Sequence, residues 1–357
     1  MEEKAIISSS LYQDPLRIYF VMIEDLEKAK ESIYLETYRF ENDPIGIKFR
    51  NILTKKAREG VKVVLLLDAW GTSVSSKFFK DLIDAGGQVK FFKKLRLTIN
   101  LLSANHERDH RKLLLIDRNI SYLSSINISN YNLNWRECSL RLTGSITDAF
   151  INIFRQNYQL KNTYKFDKKR HTRLVKHNGF EIVRDVPSVR IQRIRKKILN
   201  HIVKAKTQII IESPYFLPTW LMMDRLISAA KRGVDVKIIM PQRSDVTVVN
   251  VLRQHYLGRL HEGGVQIMYY KPTNLHAKLM LCDDRFYVGS ANFDYRSFRY
   301  MFEIGLFGDD KQVHDQVKDH CMQTLEDCIP FDYTEWKKRG FTKKLMEVLL
   351  LPFKHFL

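Results

Sequence analysis

The chain contains little cysteine and no signal for export. Only four of its 357 residues are cysteines, and their spacing matches neither a zinc site nor a redox pair. We therefore expect free thiols and a reducing compartment. The first residues, Met1-Glu2-Glu3-Lys4, have neither the basic start nor the apolar core of a signal peptide. These absences favour a cytoplasmic protein.

The chain also lacks an apolar run long enough to cross a bilayer, which takes about 20 residues. The stretch from Phe341 to Leu357 mixes cations with a dense apolar segment. It is expected to form either an interfacial anchor or a helix packed on the second half of the protein. The formal net charge of +19 indicates an anionic partner, either nucleic acid or a negatively charged membrane.

The most specific signal is the pattern His-x-Lys-x4-Asp, which occurs twice. One copy runs from His110 to Asp117 and the other from His276 to Asp283. Each continues to an asparagine at nearly the same distance, so the two motif regions are 110–127 and 276–292. Two copies with matching polar tails argue against a chance match.

The residue types in this pattern suit phosphate chemistry. Each lysine is followed by an apolar run that predicts a strand, on which residues two apart share a face. His110 and Lys112 therefore point the same way, as do His276 and Lys278. A lysine supplies a charge for phosphate oxygens, and an asparagine amide adds a neutral donor.

Two such half-sites placed face to face would surround one phosphorus atom. One histidine could attack phosphorus to form a phosphohistidine while the other protonates the leaving alkoxide. The lysines, with Asn127 and Asn292, would bind the phosphate oxygens and stabilise the transition state, so the mechanism needs no metal or cofactor.

Four carboxylates complete the candidate site. Asp117 and Asp283 belong to the motif and are grouped with its catalytic residues, but an odd spacing from histidine places each at the far end of its strand. We expect them to order a turn or to pair elsewhere. Glu137 and Glu303 follow their motifs at comparable positions. They either orient the histidine rings or form ordinary ion pairs.

The duplication extends beyond the motifs. Residues 33–40 correspond to 209–216, and similar glycine-containing stretches follow in both halves. In each half a strand-helix-strand-helix-strand series precedes the histidine strand. This alternation predicts an α/β fold of two pseudo-symmetric halves, each a mixed sheet flanked by helices. The basic stretch between them suggests a division into residues 1–175 and 176–357, the latter carrying the basic and apolar tail.

From about Leu11 to Pro352 the sequence resembles the phospholipase D superfamily, and more narrowly the bacterial-type cardiolipin synthases. Trp135-Arg136-Glu137 stands where that family typically has Trp-Arg-Asp, and the segment from Asn292 to Phe298 is similar to its Asn-x-Asp-x-Arg-Ser-Phe. One departure is Ser124-Ser125, where the family usually carries glycine.

The resemblance implies a fold of two phospholipase D-like halves with the active site between them. It also implies a phosphatidyltransferase that joins two phosphatidylglycerol molecules into cardiolipin and releases glycerol. By analogy His110 would be the nucleophile and His276 the general acid and base. Phosphatidylglycerol and the inner face of the cell membrane would be the partners of a peripheral enzyme.

Other functions stay open on the sequence. Water could replace the acceptor alcohol, which would make the protein a hydrolase that yields phosphatidic acid. A nuclease is less favoured, because the superfamily's DNA-repair branch lacks the motif aspartates; a silent binding protein would be expected to have lost a histidine or lysine. The acceptor, the acyl preference and the oligomeric state are not indicated. Several aromatic residues could stack on bases or line a lipid entrance, namely Tyr131, Trp135, Tyr215, Phe216, Trp220 and Tyr295.

Overall fold

The computed structural model describes residues 8–92, 107–160 and 167–352. The strands of the first half are β1 (Ser8–Tyr12), β2 (Ser32–Thr37), β3 (Lys62–Asp68), β4 (Gln88–Phe92), β5 (Arg108–Asp109), β6 (Leu113–Ile116), β7 (Ile120–Ser124) and β8 (Ser139–Thr143). Seven of them form one sheet in the order β1-β8-β7-β6-β2-β3-β4. Only the β2-β3-β4 part is parallel, so the sheet is mixed.

The second half repeats this arrangement. Its strands are β9 (Val175–His177), β10 (Phe180–Asp185), β11 (Gln208–Glu212), β12 (Asp235–Pro241), β13 (Gln266–Tyr270), β14 (Leu279–Cys282), β15 (Arg285–Gly289), β16 (Met301–Gly308) and β17 (Cys328–Pro330). The sheet order is β17-β13-β12-β11-β14-β15-β16-β10-β9, and β5 of the first half pairs with β16. β11, β12 and β13 are parallel.

Helices cover the sheets. They are α1 (Pro15–Lys28), α2 (Pro44–Arg58), α3 (Lys80–Asp84), α4 (Ile146–Tyr158), α5 (Lys168–His171), α6 (Arg193–Lys204), α7 (Trp220–Lys231), α8 (Thr247–Glu262), α9 (Tyr295–Tyr300), α10 (Lys311–Glu326), α11 (Tyr333–Lys337) and α12 (Phe341–Leu350). Asp-Pro pairs start α1 and α2, where Asp14 and Asp43 accept bonds from backbone N–H groups of the first turn. Within the described ranges, no helix has the length and apolarity needed to span a membrane.

The predicted α/β fold of two similar halves is confirmed, with the expected strand-helix alternation before each histidine. The predicted series did not include the other strands of each half. Among these, β1 and β10 precede the first long helix of their half and pair antiparallel with β8 and β16. The proposed division between residues 175 and 176 falls inside β9 and stays a prediction.

The two halves share a buried core. The sheet faces that meet α4 and α10 form one apolar cluster containing residues of both halves, among them Leu115, Phe150, Leu281 and Val317. All four are 0% exposed. Each half also has an outer core on its other face. Because the inner core is common, it positions the segments before β6 and β14 relative to each other.

Candidate active site

The two His-x-Lys pairs lie immediately before β6 and β14. Each strand begins one residue after its lysine and three residues after its histidine, so the prediction that both residues lie on the strand was wrong. The Nζ atom of Lys112 donates to the carbonyl oxygen of His110 at 2.6 Å, and Lys278 donates to that of His276 at 2.6 Å. Both lysines are buried.

Backbone hydrogen bonds attach each histidine segment to the opposite half. The N–H of His110 donates to the carbonyl oxygen of Phe302 at 3.0 Å, continuing the pairing of β5 with β16. The N–H of His276 donates to the carbonyl oxygen of Arg136 at 2.7 Å. Each half therefore helps to position the histidine of the other through a backbone hydrogen bond.

The predicted histidine-orienting glutamates pair across the halves. Glu303, which follows the second motif, lies with Oε1 3.0 Å from Nδ1 of His110. Glu137, which follows the first motif, places both carboxylate oxygens 3.0 Å from Nδ1 of His276. Both glutamates are 0% exposed, so each imidazole is held by a fully buried carboxylate.

The glutamates are fixed in turn by serine hydroxyl groups. Ser125 donates its hydroxyl proton to Glu137, and Ser290 donates to Glu303. Both serines are buried. Ser125 and Ser290 occupy equivalent positions in the two motifs, so both halves fix their glutamate in the same way.

The bonding pattern assigns the tautomer of His110. Its Nδ1 atom faces two acceptors, Glu303 at 3.0 Å and the carbonyl oxygen of Ser290 at 3.1 Å. A carbonyl oxygen only accepts, so Nδ1 carries the proton. The unprotonated Nε2 atom is left for chemistry.

Burial and neighbouring charges make the two half-sites unequal. Burial, together with the positive charge of Lys112, lowers the pKa of His110 well below its usual value. Burial also lowers the pKa of His276, but Glu137 opposes this shift. Burial would raise the pKa of Glu137, yet His276 and other donors outweigh it and the pKa lies below its usual range. In contrast, burial raises the pKa of Glu303 to about 7.

The lysines are also perturbed. Burial lowers the pKa of Lys112 to about 7 and that of Lys278 to about 8. A buried ammonium group is costly unless an anion accompanies it. A bound phosphate would supply that anion and stabilise the charged form of both lysines.

Both histidines open onto one cavity of about 500 Å³ between the halves. Asn127 and Asn292 line it as predicted, and their Oδ1 atoms have no hydrogen-bond partner within the described part of the chain. No group of three metal-binding side chains occurs among residues 8–92, 107–160 and 167–352. The other lining residues are Tyr38, Arg39, Tyr131, Asn132, Trp135, Tyr215, Asp245, Val246, Val249, Asp294, Arg296, Ser297 and Met301.

Aromatic rings form walls beside the histidines. The ring centroid of Tyr38 lies 5.2 Å from that of His110, and the ring centroid of Trp135 lies 5.2 Å from that of His276. Of the aromatic candidates, three line the cavity. Phe216 is buried in the outer core, while Trp220 and Tyr295 line a separate hollow.

Sequence reasoning did not identify Arg39 and Arg296 as site residues. The internal repeat contained a signal, because it aligns Arg39 with Tyr215 and Tyr131 with Arg296. At these two aligned positions, each half therefore contributes one arginine and one tyrosine to the cavity. The Arg39 guanidinium lies 5.5 Å from the Tyr131 ring centroid.

The motif aspartates do not line the cavity. Asp117 accepts hydrogen bonds from the N–H groups of Lys30, Glu31 and Ser32, at 2.6, 2.7 and 2.9 Å. Asp283 accepts from the equivalent N–H groups of residues 206–208, at 2.8 to 3.0 Å. Both order the turn before the first parallel strand of their half. We therefore remove them from the groups that could touch a substrate.

A family model described as cardiolipin synthase, PLD-like domain, matches residues 22–157 and 198–325. The chain belongs to this family. A cardiolipin synthase of Clostridium perfringens is 32% identical over 362 residues, covering 95% of this chain and 75% of that protein. One from Listeria monocytogenes is 31% identical over 353 residues, covering 95% and 73%. The protein is thus an enzyme of the phospholipase D superfamily.

Solved structures support the fold. A phosphatidylserine synthase of Haemophilus influenzae superposes with a TM-score of 0.77 at 14% identity, covering 99% of this chain and 97% of that chain. A polyphosphate kinase of Porphyromonas gingivalis gives 0.65 at 11% identity, covering 98% and 54%. At these identities the likeness concerns the fold alone.

Proposed function

We propose that the protein joins two phosphatidylglycerol molecules into cardiolipin and glycerol through a phosphohistidine intermediate. The observation that carries the proposal is that both histidines open onto one cavity, each imidazole held by a buried glutamate of the opposite half. Two histidines on one phosphorus suit a two-step transfer. The relatives named cardiolipin synthase support a phospholipid substrate.

In the first step Nε2 of His110 attacks the phosphorus of one phosphatidylglycerol. A P–N bond forms and the bond from phosphorus to the glycerol headgroup oxygen breaks. His276, in its protonated form, gives its Nε2 proton to that oxygen, and glycerol leaves. Lys112 and Lys278, with the asparagine amides, stabilise the charge on the non-bridging oxygens.

In the second step a hydroxyl of the second phosphatidylglycerol attacks the phosphorus. His276, now neutral, accepts the hydroxyl proton as the new P–O bond forms. The P–N bond breaks, so His110 is regenerated and cardiolipin is released. The proton count balances over the two steps, because His276 gives one proton and takes one back.

The unequal pKa values support His110 as the nucleophile. A nucleophilic imidazole must be neutral, and the pKa of His110 is held well below its usual value by burial and by nearby lysines. A general acid must hold a proton, and Glu137, whose pKa lies below its usual range, is placed to stabilise His276 in its charged form.

Transfer to a second lipid is favoured over hydrolysis by two further cations in the cavity. Arg39 and Arg296 are separate from the His-Lys pairs, and Arg296 has no ion-pair partner within the described residues. Its buried Nε atom also has no hydrogen-bond partner there. We assign these guanidinium groups to the phosphate of the acceptor lipid.

This assignment predicts a change in product. Arg296→Gln should weaken acceptor binding, so that water intercepts more of the phosphoenzyme and the ratio of phosphatidic acid to cardiolipin rises about tenfold. The control is Arg259→Gln, at an exposed arginine that does not line the cavity. An unchanged ratio in Arg296→Gln would remove the acceptor role.

The substrate implies a place of action at the inner face of the cell membrane, as a peripheral enzyme. The positive net charge supports attraction to anionic lipid.

The deciding experiment is mass spectrometry of lipids after the purified protein is incubated with phosphatidylglycerol vesicles in excess chelator. Cardiolipin with free glycerol supports the transferase. Phosphatidic acid alone would make the protein a phospholipase D-type hydrolase. No turnover of lipid, with cleavage of nucleic acid, would overturn both.

A further inference from the structure

Helix α12 exposes its apolar residues and buries its acid. Phe341 is 78% exposed, Val348 55%, Leu349 56% and Leu345 44%, whereas Glu347 is 3% exposed. A helix on the surface of a water-soluble domain ordinarily shows the reverse pattern. Contact between this helix and another apolar environment would explain why its apolar side chains are exposed.

The exposed side chains form one stripe. Phe341, Leu345, Val348 and Leu349 follow the spacing i, i+4, i+7 and i+8, which places them on the same side of a helix. Helix α12 is about 15 Å long, since each of its ten residues rises about 1.5 Å. That length is half of what a bilayer crossing needs, so the helix would lie along a surface.

The helix is attached firmly to the second half of the protein. The guanidinium of Arg339 bonds both carboxylate oxygens of Glu347, at 2.9 and 3.2 Å, and lies 3.6 Å from the ring centroid of Trp336. Leu350 and Leu351 pack against the outer core of the second half. The stripe therefore belongs to a fixed surface.

Charges around the stripe identify its partner. Lys337, Lys338, Lys343 and Lys344 are all exposed and lie within four residues of the stripe along the chain. A second copy of this chain would bring the same cations and a net charge of +19 against them. An anionic bilayer would instead attract each of these lysines.

We propose that α12 docks the enzyme on an anionic bilayer. Phe341, Leu345, Val348 and Leu349 enter the boundary between headgroups and acyl chains, and the lysines meet the headgroups. The inference rests on the proposed function in one respect, that the substrate is a membrane lipid. Docking through a fixed helix would hold the cavity at a constant distance from the lipids that enter it.

The test is flotation of the full chain with vesicles of equimolar phosphatidylglycerol and phosphatidylcholine. The triple variant Phe341→Ser, Val348→Ser, Leu349→Ser should bind at least about tenfold more weakly than the unaltered protein. The matched control is Ile83→Ser with Val203→Ser, which removes exposed apolar side chains from other helices and should bind normally. Unaltered binding by the triple variant would overturn the proposal.

Two measurements keep the result independent of folding and of the proposed function. Turnover of detergent-dispersed phosphatidylglycerol should persist in the triple variant, because α12 contributes no residue to the cavity. Light scattering should give the same mass for the unaltered protein and the triple variant. If the unaltered protein were a dimer and the triple variant a monomer, the stripe would instead bind a second copy of the chain. Vesicle binding without any lipid turnover would contradict the proposed function but not the docking surface.

Discussion

The two half-sites have nearly the same geometry but different electrostatics. Glu137 and Glu303 are equally buried, and each lies 3.0 Å from Nδ1 of a histidine. Yet the pKa of Glu137 lies below its usual range, while burial raises that of Glu303 to about 7. A duplicated framework therefore does not imply duplicated roles, because buried charges depend on the neighbours of each half.

Local contacts account for part of the difference in pKa between Glu137 and Glu303. Glu137 places both oxygens against His276 and also accepts a bond from the amide of Asn132 at 3.3 Å. Glu303 places one oxygen against His110. The charge of His276 beside both oxygens of Glu137 stabilises the carboxylate, and this carboxylate opposes the lowering of the His276 pKa by burial.

The backbone beside the motifs differs as well. Gly289 stands where the first half has Ser124. A Cβ atom at Gly289 would lie 2.7 Å from the carbonyl oxygen of Ile304, so only glycine fits there. The first half accepts a serine at this position, where Ser124 bonds the N–H of Ile126 at 3.2 Å.

The largest expected effect comes from removing either imidazole. His110→Ala and His276→Ala should each lower kcat by about 10⁴-fold or more, because the second histidine cannot perform both proton transfer and attack. Quantitative lipid mass spectrometry measures this loss. A variant of either residue with substantial activity would contradict the two-histidine mechanism.

The next largest effects should come from the two glutamates, and the loss of kcat should differ between the two half-sites. Glu137→Gln should lower kcat on the order of 100-fold, because it removes the charge that stabilises protonated His276. Glu303→Gln should cost less than about tenfold near neutral pH, since a carboxyl with a pKa of about 7 is already partly neutral. Equal losses, measured as kcat on phosphatidylglycerol at pH 7, would mean that the two carboxylates act alike.

A smaller effect concerns pH. The free enzyme loses the charge of Lys112 near pH 7 and that of Lys278 near pH 8, so kcat/KM should fall as pH rises through this window. Lys112→Arg keeps its charge and should remove the lower of the two steps. Lys55→Arg, at an exposed site, is the control and should leave the profile unchanged. If kcat/KM did not fall as pH rises through this window, the lowered pKa values of the lysines would be contradicted.

The aspartates should affect stability rather than chemistry. Asp117→Asn removes a carboxylate that accepts three backbone N–H bonds, and the free energy of unfolding should drop by about 1–3 kcal/mol. Asp283→Asn should behave similarly. Denaturant titration and activity per folded molecule distinguish the two roles. Loss of activity at full stability would return the aspartates to the catalytic set.

Much of the site could be predicted from the sequence because the residues of each motif lie close together along the chain. The duplicated motif indicated the histidines, lysines and asparagines, and the position of Asp117 at the end of the strand correctly predicted that it lies away from its histidine. The resemblance to a known family supplied the arrangement of the halves.

The rest depends on contacts between distant parts of the chain. Glu303 and His110 are 193 residues apart, and Glu137 and His276 are 139 apart, so no local pattern indicates that the pairs cross between the halves. Arg39 was missed for a different reason: its counterpart in the repeat is a tyrosine, and unequal residues conceal a shared position.

The most direct test of the unequal half-sites is to identify which histidine carries the phosphatidyl group. The protein would be quenched during turnover of phosphatidylglycerol, and its peptides analysed by mass spectrometry under conditions that preserve phosphoramidate bonds. We predict an adduct on Nε2 of His110 that accumulates in Glu137→Gln, where the acid and base on His276 are impaired. An adduct on His276 instead would reverse the assignment and contradict the account.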